Sequence, residues 1–133
     1  MGLVSATVAA PDAAATYFAA KLAYETDPAD VMADLRDGAK DFVLLDARAE
    51  AAYVAAHLPG AQNLPHAHID EHTAAHFLPD RNRLVVCYCW SVHCNAADRA
   101  AAKLAALGYR VKVMVGGIEA WRAEGHTIEG ARA

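Results

Sequence analysis

Apolar residues fall along the chain in short runs set off by polar punctuation. Three runs have the length of buried strands: Phe42 to Leu45, Leu84 to Tyr88 and Val111 to Val115. The intervening segments predict helices. Ala13 to Tyr24 is an Ala-rich helical stretch. Asp27 as cap, Pro28 in the first turn, Asp30 near the positive end and Gly38 as stop mark the next helix. Shorter helices are predicted from Glu50 to Ala56, Ile69 to Phe77, Asn95 to Leu107 and Ile118 to Glu124, and Gln62 to Leu64 is a brief extended segment. Strands of this length alternating with helices predict an α/β domain with a largely parallel sheet. The three apolar strands end at Asp46, at Cys89 and at the Gly116-Gly117 pair. In a parallel sheet those ends share the carboxyl edge, where such folds place their ligands.

The 133 residues suffice for one domain with a real core. A net charge of −4 and an apolar content of 56% argue against disorder and against nucleic acid as a partner. No apolar run approaches a membrane span, and Met1 to Thr16 lacks the basic residues that begin a secretory signal, so the chain reads as soluble. Its cysteines, Cys87, Cys89 and Cys94, lie too close together in sequence to staple a fold, which suits a reducing, cytoplasmic setting. Their spacing also lacks the second cysteine cluster of a structural zinc site.

A cysteine directly after a buried strand and before a helix lies near loop N–H groups and the partial positive charge of the helix start, both of which favour a thiolate. That placement singles out Cys89 and suits an arriving anion, be it thiosulfate, phosphate or arsenate. Cys87, within the strand, reads as core packing.

The residues on either side carry a resemblance. Leu44-Leu45-Asp46-Ala47-Arg48, Glu50, Tyr53, His57-Leu58-Pro59-Gly60-Ala61 and Asn63-Leu64-Pro65 resemble the first signature of the rhodanese family. Val85-Val86-Cys87-Tyr88-Cys89 resembles the strand leading to its active-site cysteine. The helix ending in Leu107-Gly108-Tyr109 and the run Gly116-Gly117-Ile118-Glu119-Ala120-Trp121 resemble its later motifs. The resemblance implies a three-layer fold, with a central, mostly parallel five-stranded sheet flanked by helices. It places a rhodanese-like domain over residues 26–133, after a helical extension over 1–25. It further implies sulfur transfer through a persulfide on Cys89, from a small sulfur donor to a thiol or cyanide, with a protein as a further candidate acceptor and no cofactor or metal. Asp46 and Arg48 would orient loops by charge-assisted hydrogen bonds, and Trp121 would anchor the core. The oligomeric expectation is a monomer or homodimer.

The loop departs from the common pattern. Cys89-Trp90-Ser91-Val92-His93-Cys94-Asn95 has no glycine, and from Cys89 on no arginine comes before Arg99; it resembles a rhodanese subgroup with a longer loop. A phosphatase-type loop would need arginine where Asn95 stands, so phosphate chemistry is disfavoured and thiosulfate is a weaker candidate donor. His93 could assist proton transfer. Two readings compete with sulfur transfer: a non-catalytic module binding a partner protein through this loop, and a redox switch joining Cys89 to Cys94. Lastly, His68, His72 and His76, with His66 nearby, would share a face if that stretch were one helix, a spacing that can chelate a metal although a solvated histidine face is its usual meaning.

Overall fold

The structure is a computed structural model, which describes residues 2–39 and 41–133. The described elements run α1 (Pro11–Tyr24), β1 (Glu25–Thr26), α2 (Pro28–Arg36), β2 (Phe42–Asp46), α3 (Glu50–Ala55), β3 (Gln62–Asn63), a 3₁₀ turn (His66–His68), α4 (Glu71–Phe77), β4 (Leu84–Tyr88), α5 (Ala96–Ala106), β5 (Val111–Met114) and α6 (Gly117–Ala123). The five strands form one sheet in the order β1-β5-β4-β2-β3, and every pairing is parallel. The α/β, mostly parallel, five-stranded architecture expected from the sequence is therefore present.

The strand alternation splits the core in two. Val43, Leu45, Val85, Cys87 and Cys89 face one side, beneath Ala97, Ala100 and Leu104 of α5 and Ala74 of α4. Phe42, Leu44, Val86 and Tyr88 face the other, against Val31 of α2 and Ile118 and Trp121 of α6. Trp121 is fully buried and donates its indole N–H to the Thr127 carbonyl at 2.8 Å, the core anchor its position suggested. Asp27 caps α2 by accepting the Asp30 N–H at 2.9 Å, and Asp70 forms a capping box with Thr73 at the start of α4.

One expectation changes. The predicted helix over Ile69 to Phe77 begins only at Glu71, so His68 lies in the preceding 3₁₀ turn and the row His68, His72, His76 is broken. The Asp70 cap causes the break, because its extended backbone separates the two segments. Among the described residues, no three histidines, cysteines or carboxylates are grouped so as to hold a metal ion. The strand β1 lies across the 25/26 boundary expected from the sequence, and pairs Glu25 and Thr26 with Val113 and Met114. No helix among the described residues is long and apolar enough to cross a membrane.

Candidate active site

The carboxyl edge of β2 and β4 is built around a buried ion pair. Asp46 and Arg48 are 0% and 3% exposed, and the Arg48 guanidinium donates from Nε to Asp46 Oδ1 at 3.0 Å and from Nη2 to Oδ2 at 2.7 Å. Charges this deep need further partners. Arg48 Nη2 also donates to the Ala56 carbonyl, and the Tyr88 hydroxyl donates to Asp46 Oδ2 at 2.9 Å while accepting the Leu58 N–H at 3.0 Å. Tyr88 and Asp46 are register partners on adjacent parallel strands and face the same layer. Asn63 clamps the turn after β2 by donating to both the Asp46 and Arg48 carbonyls, at 3.0 and 2.9 Å. These hydrogen bonds tie Asp46 and Arg48 to each other, to Tyr88 and to the Ala56 carbonyl. Tyr88 and Asn63 belong to the same network, though neither stood out in the sequence.

This network supports the loop that begins at Cys89. The Arg48 guanidinium lies 4.4 Å from the centre of the Trp90 ring, a cation–π contact that ties the buried pair to a half-exposed aromatic. The opposite side of the loop rests on the start of α6, where Ile118 and Glu119 donate their N–H groups to the Cys89 and Trp90 carbonyls at 3.0 and 2.9 Å. Such close approach of two backbones excludes a side chain at Gly117. A Cβ there would stand 2.4 Å from the Cys89 carbonyl oxygen, and the residue has φ +59°. Gly117→Ala is accordingly expected to lower stability by about 1–3 kcal/mol and to displace the Cys89 loop. A urea unfolding midpoint equal to that of the unsubstituted protein would contradict this packing.

Within the loop, a turn is closed by the Cys94 N–H donating to the Ser91 carbonyl at 3.1 Å and by the His93 N–H donating to Ser91 Oγ at 3.2 Å. Val92, His93 and Asn95 project outward, and Asn95 Oδ1 accepts from Arg99 Nε at 3.0 Å. His93 therefore stands at the rim, away from the sulfur-bearing floor. Cys87 is enclosed under α5, where burial pushes its thiol up to about 12, consistent with the inert packing role expected of it.

Cys89 itself differs from expectation. Burial and the neighbouring Cys94 thiol push its pKa up to about 11, although the nearby Ala97 and Trp90 N–H groups oppose the shift. The loop and helix-start N–H groups foreseen from the sequence are present, yet at neutral pH the resting group is the thiol, which donates to the Cys94 carbonyl at 3.3 Å. Cys94 behaves in the opposite sense. Burial acts to raise its pKa, but the Ala96 N–H at 3.5 Å, the Cys89 thiol and the Trp90 N–H outweigh it and hold the group below the usual cysteine range.

The sign follows directly. Each pH unit below about 11 cuts the Cys89 thiolate fraction tenfold, so its reaction with iodoacetamide should keep rising through pH 10, whereas that of Cys94 should level off early. Fragment-ion mapping of the alkylated peptide checks this, and a Cys89 plateau below pH 9 would contradict it.

Two cavities meet at this loop. One, of about 210 Å³, is walled by Cys89, Ser91, Cys94, Ala97, Gly116 and Gly117. The other is an apolar groove of about 620 Å³, lined among others by Leu64, Pro65, His66, Phe77, Trp90 and Cys94. His68 lines the groove too, whereas His72 lines neither cavity.

A parallel α/β sheet with a cysteine at the carboxyl end of a central strand, ringed by N–H groups at a helix start, defines a class of cysteine-based active sites open to small anions. Residues 27–124 match the rhodanese-like domain family, and the chain belongs to it. It is 37% identical over 99 residues to the thiosulfate sulfurtransferase GlpE of Pseudomonas entomophila, across 69% of this chain and 83% of that protein. The namesake of Pseudomonas putida strain GB-1 is 38% identical over 96 residues, across 67% and 79% of the two chains. Among solved structures, a Bacillus halodurans protein superposes with a TM-score of 0.87 at 39% identity, covering 93% of this chain and 91% of that one. The rhodanese-like domain of an Anabaena protein aligns at 25% identity with a TM-score of 0.71, over 81% and 80% of the two chains.

Proposed function

We propose that the protein is a sulfurtransferase that carries sulfane sulfur as a persulfide on Cys89, taking it from a thiosulfate-like or persulfide donor and passing it to a thiol or cyanide acceptor. The observation that carries this reading is the seat of Cys89: the end of a central strand, with the Trp90 and Ala97 N–H groups near its sulfur and a cavity of about 210 Å³ before it. Membership of the rhodanese-like family and the curated relatives named thiosulfate sulfurtransferases support it.

In the first half-reaction the Cys89 sulfur, losing its proton, attacks the sulfane sulfur of the donor. The donor's S–S bond breaks and the remainder leaves with the electron pair, as sulfite when the donor is thiosulfate. The charge that collects on the outer sulfur of Cys89–S–S⁻ falls where these N–H groups offset it, as preorganised donors do for an oxyanion. An acceptor thiolate or cyanide then attacks that outer sulfur and restores the Cys89 thiolate. Trp90, Ser91, Val92, His93, Cys94 and Asn95 shape the approach, and Asp46 and Arg48 hold the floor beneath it.

No arginine lies on the loop; the Arg48 guanidinium beside Trp90 is committed to Asp46 and Ala56, and that of Arg99 bonds Asn95 Oδ1 at the exposed end of the loop. An organic persulfide is thus the favoured donor over the thiosulfate dianion. Residues 26–133 form the working unit in this reading, and three free cysteines at one site suit a reducing compartment such as the cytoplasm.

The test is turnover to cyanide with thiosulfate and with glutathione persulfide as alternative donors, read as thiocyanate. Transfer from at least one donor, faster from the persulfide, is the expected result. Inactivity with both, together with specific capture of a partner protein by the Cys89 loop, would favour a non-catalytic binding module instead.

A further inference from the structure

The two cavities differ in what they can hold. About 210 Å³ around Cys89 admits the reacting end of a donor whose body stays in solvent, but it falls below the roughly 300–1,000 Å³ that seats a whole organic ligand, whereas the groove of about 620 Å³ falls inside that range. The groove is mostly apolar, with Leu64, Pro65, Phe77 and Trp90 among its walls beside the polar His66, His68 and Thr73, and Cys89 does not line it. An acceptor thiol with an apolar body seated there would not face the sulfur it must collect. Cys94 does face both spaces: among the described residues it is the one that lines the groove and the Cys89 cavity alike. The two residues are in contact, the Cys89 thiol donating to the Cys94 carbonyl at 3.3 Å, while the Cys94 sulfur accepts the Ala96 N–H at 3.5 Å.

Resting on the assignment of Cys89 as sulfur carrier, we propose that Cys94 is a second catalytic thiol, which takes the sulfane sulfur from Cys89 and delivers it to an apolar organic thiol bound in the groove. The Cys94 thiolate attacks the outer sulfur of Cys89–S–SH. The new bond joins Cys94 to that sulfur, the old S–S bond breaks, and its electron pair stays on Cys89. The proton carried by the transferred sulfur then passes to the Cys89 thiolate, leaving Cys89–SH and Cys94–S–S⁻. An acceptor thiol in the groove gives its proton to that persulfide and, as the thiolate, attacks its outer sulfur; the bond to Cys94 breaks with its electron pair on Cys94, and the acceptor leaves as its persulfide. Sulfur enters and leaves at one oxidation level, so no external oxidant or reductant is involved. The downward shift of Cys94, set against the upward shift of Cys89, suits this role, since it makes Cys94 the readier of the two thiols to ionise. Trp90, anchored over Arg48, forms the wall of the groove beside Cys94.

The experiment loads the full chain with thiosulfate or glutathione persulfide, caps persulfides with iodoacetamide at timed intervals, and locates the added sulfur by fragment ions of the tryptic peptide Leu84 to Arg99. In the unsubstituted protein the sulfur should appear on Cys89 first and on Cys94 afterwards, and Cys89→Ser should leave Cys94 unloaded. Cys94→Ser, which retains an oxygen acceptor for the Ala96 N–H, should accumulate sulfur on Cys89. It should slow discharge to benzyl mercaptan roughly tenfold more than discharge to cyanide, which is small enough to reach Cys89 directly. Sulfur on Cys89 but never on Cys94, or equal slowing for the two acceptors, would overturn the relay and leave the carrier role of Cys89 intact. A Cys89–Cys94 disulfide formed with release of hydrosulfide would also overturn it, because the attack would then fall on the inner sulfur. Sulfur on neither cysteine would overturn both assignments.

Discussion

Cys89→Ser is expected to lower sulfur transfer to cyanide by on the order of a thousandfold or more, while Cys87→Ser retains most of it. A hydroxyl in that seat would meet the same Trp90 and Ala97 N–H groups but cannot be a comparable nucleophile near neutral pH, and it forms no stable sulfur adduct. The contrast with Cys87 is the informative part. Both side chains point to the same face of β4 beneath α5, yet Cys87 is sealed into the core and Cys89 opens onto a cavity. Steady-state thiocyanate formation by the two variants measures the difference. Comparable losses in both would mean that the loop, rather than the sulfur at position 89, carries the activity.

The second large effect is on stability. Asp46→Ala leaves the Arg48 guanidinium, 3% exposed, without its counter-ion and removes the acceptor of the Tyr88 hydroxyl. Breaking a buried pair in this way costs about 3–5 kcal/mol, a large share of the roughly 5–15 kcal/mol that holds a domain of this kind together. Urea unfolding should show the midpoint falling accordingly. Because Arg48 also lies against Trp90, the loss should loosen the active-site loop at denaturant concentrations below the global transition, visible as an early change in tryptophan emission. Asp46→Asn keeps the shape of the carboxylate and its acceptor oxygen, and should fall between the two. An Asp46→Ala protein as stable as the original would show that the network is not what supports the carboxyl edge.

Much of the fold is visible in the sequence because its central strands are continuous apolar runs, as strands buried on both faces must be. The ends of Phe42–Asp46 and Leu84–Tyr88 therefore put Asp46 and Cys89 on one edge before any coordinates are seen. The strand β1 escapes such reading, since two residues, Glu25 and Thr26, carry no pattern and their pairing is decided by β5. The spacing of His68, His72 and His76 suits one helix, but the Asp70 capping box starts the helix beyond His68.

Tyr88 escaped for another reason. Within an apolar strand it reads as a packing residue, although a buried phenol always raises the question of where its hydroxyl bonds, and the answer is Asp46. The ionisation of Cys89 was legible only in part. Position along the chain foretells the N–H groups, but not the depth of the sulfur or the competing thiol of Cys94, and those two prevail. The Gly116-Gly117 pair reads as a turn in the sequence; only the structure shows the Cys89 and Trp90 backbone pressed against Gly117.

The central claim, that Cys89 carries the sulfur, is tested most directly by the intact mass of the protein after incubation with thiosulfate or glutathione persulfide. The account predicts a species heavier by one sulfur atom that reverts on adding cyanide, and that never forms in Cys89→Ser. An unchanged mass with both donors, or the same gain in Cys89→Ser, would contradict it.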